Sequence, residues 1–128
     1  MNTPIYDFLR NYSEKNPLRC HMPGHHGKHI SEELAELYRL DITEISGADS
    51  LFEADGIISE SEDNTAAIYG SGAALFSAGG STSCIQAMLG AMRLENRRII
   101  AVRNVHRAFL NSCVMLGLDV EWIMPDYT

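Results

Sequence analysis

A chain of 128 residues with 45% apolar content is long enough to bury a core of its own. The formal net charge is −7, and apart from Arg97-Arg98 the ten Lys and Arg residues are scattered, which excludes a nucleic-acid or anionic-membrane surface built on clustered positive charge. Cys20, Cys84 and Cys113 are widely spaced with no Cys-x-x-Cys pair, so neither a disulfide framework nor a cysteine zinc site is expected.

Met1 to Leu9 carry no basic or apolar leader pattern, and no apolar run approaches the ~20 residues that span a bilayer, so the chain reads as cytoplasmic. Thr3-Pro4 opens a helix, with a hydroxyl cap followed by proline at the first helical position. Ile5, Phe8, Leu9 and Tyr12 then form one apolar stripe that Asn16-Pro17 terminates. Nothing immediately after this helix offers a packing partner, which points to a neighbouring subunit.

Residues 19 to 29, Arg-Cys-His-Met-Pro-Gly-His-His-Gly-Lys-His, hold four of the five histidines. Proline and glycine rule out a regular helix, leaving a shaped loop rich in titratable groups. Three readings stay open: a zinc site, a surface loop without special chemistry, and an active-site loop. The lack of a nearby cysteine or well-placed carboxylate counts against zinc, and titratable groups on irregular backbone favour the active-site loop.

Ser31 is expected to cap a short acidic helix through Leu34, Leu37 and Tyr38, with Asp41 to Ile45 alternating as a brief extended segment. Gly47 and Gly56 bracket a loop. Ser59-Glu60-Ser61-Glu62 has the form of a capping box, with Glu62 reaching back to the Ser59 N–H, and predicts a helix from about Glu60 to Tyr69 stopped by Gly70.

The chain then turns on Ala73-Ala74-Leu75-Phe76-Ser77-Ala78-Gly79-Gly80-Ser81-Thr82-Ser83, an apolar run followed by two glycines and three hydroxyl residues. A strand over 73 to 78 and a helix over 82 to 94 are predicted, the latter from Ile85, Met88, Leu89 and Met92 at helical spacing. Such a junction aims unpaired N–H groups and the positive end of a helix dipole at whatever lies over it, and phosphate is the natural occupant. A plain strand end with Ser81 or Ser83 as helix cap stays open beside that reading.

A strand over 98 to 102, a helix over 106 to 116 ending at Gly117, and a strand over 119 to 123 complete the order. Apolar strands separated by helices predict an α/β fold with a mainly parallel sheet. The helix after Ser83 is apolar or small nearly all round and is expected to be buried on more than one side. His106 reads first as a helix-start residue.

Four motifs, in order, carry a resemblance: His21-Met22-Pro23-Gly24-His25-His26-Gly27; Asp41-Ile42-Thr43-Glu44 with Gly47, Asp49, Leu51 and Gly56; Gly80-Ser81-Thr82-Ser83; and Arg103-Asn104-Val105-His106. Together they resemble the bacterial pyridoxal-phosphate-dependent ornithine/lysine/arginine decarboxylases, which have the aspartate-aminotransferase-like fold. The resemblance implies an N-terminal segment of helices and Pro-Gly-His loop over residues 1–58. Residues 59–128 would then be the incomplete cofactor-binding large domain, the first half of a doubly wound, fold-type I sheet.

It further implies that Ser81, Thr82 and Ser83 hold the phosphate of pyridoxal phosphate, that His106 lies flat on the pyridine ring, and that His21 and His25 belong to an active-site loop. The family's Schiff-base lysine and its partner aspartate for the pyridine nitrogen would lie beyond Thr128, because Lys15 and Lys28 are the only lysines and neither matches the family's Ser-x-His-Lys. The expectation is therefore the N-terminal part of a homodimeric or larger decarboxylase of arginine, lysine or ornithine, with no catalytic residue and no metal of its own, inactive alone. A non-catalytic phosphate- or cofactor-binding module is the alternative. Ser50, Phe52, Ala54, Arg107 and Ala108 depart from the family pattern, and His26 stands where lysine is common.

Overall fold

Pro4 begins the first helix, α1 (Pro4–Glu14), in a computed structural model that describes residues 2–126. Asp7, one turn in, accepts the Thr3 N–H at 3.3 Å, and Asn16 at φ 44° swings the chain out ahead of Pro17. A 3-10 turn (Glu32–Leu34) leads into α2 (Ala35–Leu40), and after an irregular segment α3 runs Ile57–Tyr69. The apolar stripe of α1 packs on α3 and α2 of the same chain, so the partner expected from a neighbouring subunit is internal and merely distant in sequence. Gly47, at φ 83°, lets the Phe8 ring come within 3.1 Å of where a Cβ would stand.

The start of α3 departs from the predicted capping box. Its N-cap is Gly56, and the helix begins at Ile57 rather than near Glu60 because Asp49 supplies the acceptor from outside the helix. The Asp49 carboxylate takes N–H bonds from Ser50 at 2.8 Å, Asp55 at 3.1 Å, Gly56 at 2.9 Å, Ile58 at 2.9 Å and Ser59 at 3.4 Å. With the Ser59 N–H already taken, Glu62 turns away and accepts the Phe76 N–H at 2.7 Å. Gly70, at φ 63°, ends the helix as expected. Ser31 makes no side-chain cap, and residues 41–45 form no strand.

Two compact units result, Met1–Phe76 and Ser77–Thr128. Within the first unit α3 is tied to α1 and to the Asp49 loop. The predicted strand over 73–78 is irregular: no strand pairs with it among the described residues, and its local bonds run instead to Glu62 and from the Ser71 hydroxyl to the Ala73 carbonyl at 2.9 Å.

In the second unit α4 (Gly80–Leu94), β1 (Ile99–Val102), α5 (Arg107–Leu116) and β2 (Val120–Ile123) follow the predicted order. β1 and β2 pair in parallel, Ile99 opposite Val120 and Val102 opposite Ile123, with α5 as the crossover. Leu89, fully buried, sits with Ile99 and Cys113 at the centre of a core to which Ile85, Phe109, Leu116, Leu118 and Val120 add. Full burial of one such Leu contributes roughly 2–3 kcal/mol. Burial also pushes the Cys113 thiol up.

Only one face of α4 is covered, against expectation: Met88 and Met92 remain 48% and 36% exposed. Ile100, Val102 and Ile123 are likewise exposed on the other face of the sheet. Among the described residues no helix is long and apolar enough to cross a membrane.

Partial burial pushes the Asp49 carboxyl up, but the N–H groups of Asp55, Ser50, Ile58 and Gly56 outweigh it and hold the group well below the usual carboxylate range. A folded-state value below the unfolded one stabilises the fold above the unfolded value of about 3.9, and that contribution is lost as pH falls. Asp49→Asn should therefore lower the urea midpoint at neutral pH, with the difference from wild type constant above about pH 5 and narrowing below about pH 4. A pH-independent difference would mean that the charge of Asp49 contributes nothing.

Candidate functional site

Gly79-Gly80 is where the chain bends into α4, and both glycines are required there by geometry. A Cβ on Gly79 would stand 2.5 Å from the Ser83 Cβ and 2.8 Å from its Oγ, and Gly80 has φ 67°. The Gly79 N–H is taken by the Ser77 Oγ at 3.2 Å. No side chain caps α4, so the N–H groups of Gly80, Ser81 and Thr82, which have no carbonyl a turn earlier in the helix, point outward. Ser81 and Thr82 are exposed and Ser83 is half-buried beneath the turn. The start of this fifteen-residue helix is thus an open set of amide and hydroxyl donors at a positive dipole end, the chemistry that suits a phosphate.

α5 starts differently. His106 is its N-cap, at φ −62° and ψ 147°, and Nδ1 accepts the Ala108 N–H at 3.1 Å. The helix-start reading of His106 is therefore correct. The cap bond lies in the plane of the imidazole and fixes the ring at its edge, so it leaves the ring faces of this exposed residue unused. His106 follows the carboxyl end of β1. The fifteen residues of α4, about 22 Å at 1.5 Å each, lead back to the amino end of β1, so both helix starts lie toward the carboxyl side of the strands.

The histidine loop lies in the first unit, and it is closely tied. His25 Nε2 is 3.1 Å from Asp41 Oδ2, its Nδ1 accepts the Gly27 N–H at 3.0 Å, and its ring lies 4.5 Å from that of Tyr38. His21 Nε2 meets the Tyr12 hydroxyl at 2.9 Å while Nδ1 faces the Met22 carbonyl. His26 and His29 are exposed, and the Met22–Pro23 peptide is cis. Among the described residues no three His, Cys, Asp or Glu side chains converge as a metal set. Of the candidate residues, Ser81, Thr82, Ser83 and His106 share the second unit, and His21 and His25 share the first.

Over residues 3–127 the sequence matches the family described as Orn/Lys/Arg decarboxylase, major domain. The chain belongs to this family. It is 29% identical over 98% of its length to YaaO of Bacillus subtilis (strain 168), of which it covers 27%. It is also similar to proteins named arginine decarboxylase. That of Bacillus anthracis is 28% identical over 97% of the chain and 26% of the relative; that of Bacillus cereus is 27% identical over 97% and 28%. The chain spans about a quarter of the length of these curated relatives. No solved structure matches it.

Sequence reasoning named the two family histidines but not their partners Tyr12, Tyr38 and Asp41, or Arg19 behind these. The available signals were Arg19 at the head of the loop and Asp41 at the head of the second motif. Of the family departures, Ser50 donates to Glu44 Oε1 at 2.8 Å, Phe52 is 94% exposed, and Ala108 is buried beneath the His106 cap.

Two substitutions test the helix starts. Gly79→Ala should push Ser83 out of the turn and destabilise the second unit by about 1–3 kcal/mol in urea unfolding. His106→Ala should cost about 1 kcal/mol through loss of the cap, whereas His106→Asn, a good cap, should stay near wild type.

Proposed function

We propose that the full-length protein is a pyridoxal-phosphate-dependent decarboxylase of a basic amino acid, and that this chain supplies the cofactor-phosphate turn. The observation that carries the reading is the uncapped start of α4: glycines that admit no side chain, free N–H groups and three hydroxyl residues, in a chain of the Orn/Lys/Arg decarboxylase family. In this reading the α4 amides and the hydroxyls of Ser81, Thr82 and Ser83 bind the phosphate dianion. The positive end of the helix offsets its charge, and a glycine at 79 keeps the backbone accessible.

His106 is assigned to the pyridine ring. Its Nδ1 is occupied by the Ala108 N–H, which fixes the ring and leaves its faces open, and a fixed imidazole plane limits the tilt of a cofactor stacked on it. Bound pyridoxal phosphate supplies an electron sink for the pair left behind when a carboxylate departs as CO2. His21 and His25 are assigned to the active-site loop, where both ring nitrogens of each are paired to neighbours and the rings are thereby fixed in orientation.

Arginine, lysine and ornithine are the substrates considered, from the family description and from the relatives named arginine decarboxylase. The fold proposed is the doubly wound, fold-type I large domain, working in the cytoplasm as a homodimer or larger homo-oligomer. Lys15, the C-cap of α1, and Lys28, exposed in the histidine loop, are the only lysines here. Cofactor attachment through lysine is thus assigned to the full-length enzyme. A non-catalytic cofactor-binding module is the second reading, and the same open start of α4 would serve it.

Full-length protein should release CO2 from at least one of the three amino acids only with pyridoxal phosphate present. Ser81→Ala and Thr82→Ala should each raise the dissociation constant for pyridoxal phosphate about tenfold, the loss of one bond to a charged acceptor. His106→Asn, which keeps the cap, should weaken cofactor binding without lowering the urea midpoint. Cofactor uptake without CO2 release would favour the binding module, and no uptake at all would end both readings.

A further inference from the structure

His21 and His25, two of the four histidines of the loop, are held in opposite ways. The Met22 carbonyl can only accept, so His21 carries its proton on Nδ1, and Nε2 accepts from the Tyr12 hydroxyl. The Gly27 N–H can only donate, so His25 Nδ1 is the acceptor and Nε2 carries the proton toward Asp41. Four residues besides the histidines and Met22 enforce this: Tyr12, Gly27, Tyr38 and Asp41.

Arg19 touches every one of the four. Its guanidinium donates to the Tyr38 carbonyl at 3.4 Å, the Asp41 carbonyl at 3.3 Å and the Arg39 carbonyl, closing the carboxyl end of α2. It thereby fixes the backbone of both residues whose side chains meet His25. The same group lies 5.2 Å from the centre of the Tyr12 ring. It also covers Gly27, where a Cβ would stand 2.9 Å from the Arg19 Cζ at a backbone φ of 77°.

We propose that Arg19 is the positioning residue of the Pro-Gly-His loop, holding His21 as the Nδ1–H tautomer and His25 as the Nε2–H tautomer. A planar fork is needed for this role, because one group reaches three carbonyls and also lies over an aromatic ring. Lysine has the charge but not the fork. The inference goes beyond the cofactor reading: tautomers and amide exchange are properties of the loop and are read without cofactor or substrate.

The test is side-chain nitrogen NMR of the protein labelled with 15N-histidine, above the ordinary imidazole range of ~6.5, with amide exchange of Gly27 measured alongside. Wild type should show His21 protonated on Nδ1 and His25 on Nε2. Arg19→Met should move His21 to the Nε2–H form that a solvent-exposed histidine side chain prefers and speed Gly27 exchange about tenfold, the loss of one net hydrogen bond. Arg19→Lys should keep the His21 tautomer, through the cation over Tyr12, yet lose the Gly27 protection.

Unchanged tautomers and unchanged Gly27 exchange in Arg19→Met would overturn the assignment. So would exchange that rises equally at Gly27 and throughout α3, since that is mere loss of stability. If Arg19→Met does not fold, Arg19→Lys decides: retained Gly27 protection there overturns the proposal, and its selective loss supports it.

Discussion

A helix begins with backbone N–H groups that have no acceptor inside the helix, and the way each one is met organises this protein. α3 borrows the Asp49 carboxylate from a loop several residues upstream, and that one group gathers five N–H bonds. α5 uses a histidine ring, and at α1 Asp7 takes the N–H of Thr3. α4 has no side-chain cap at all. Among the described residues α3 and α5 are thus closed at their starts by Asp49 and His106, whereas α2 and α4 have no side-chain cap, and only at α4 do two glycines and three hydroxyl residues surround the open start.

That difference matters because an open start is costly unless something outside the helix accepts its bonds. Water can do so, and a phosphate does so better because charge strengthens each bond. The parallel pair β1–β2 contributes by connection order: each helix begins on the carboxyl side of the strands, so the open start of α4 and the capped start of α5 lie toward one edge. The core that secures this arrangement is small, one fully buried leucine with Ile99 and Cys113 around it. The exposed Ile100, Val102 and Ile123 leave an apolar sheet face uncovered.

The first unit is built on acceptors and donors that reach across the sequence. Asp49 ties the segment before α3 to its start, and Arg19 ties the histidine loop to the end of α2. Both are charged side chains satisfying several backbone groups at once, which lets irregular backbone hold a fixed shape with little apolar burial. The same logic explains the irregular run at 73–77: with no strand to pair with among the described residues, its amide at Phe76 goes to Glu62.

The sequence by itself determined the local elements and the family. Helix stops at Asn16, Gly70 and Gly117, the α4–β1–α5–β2 order and the four motifs are set by neighbouring residues, and such signals act within a turn or two. Which acceptor closes which helix was decided only in three dimensions. Ser59 and Glu62 have a capping-box spacing, yet Asp49 takes the Ser59 amide, together with that of Ile58, from a loop outside the helix. The partner of α1, the strand that did not form, the boundary after residue 76 and the four residues around the histidines are likewise products of contacts between residues far apart in sequence. Periodicity records which side of an element is apolar, but not what comes to meet it.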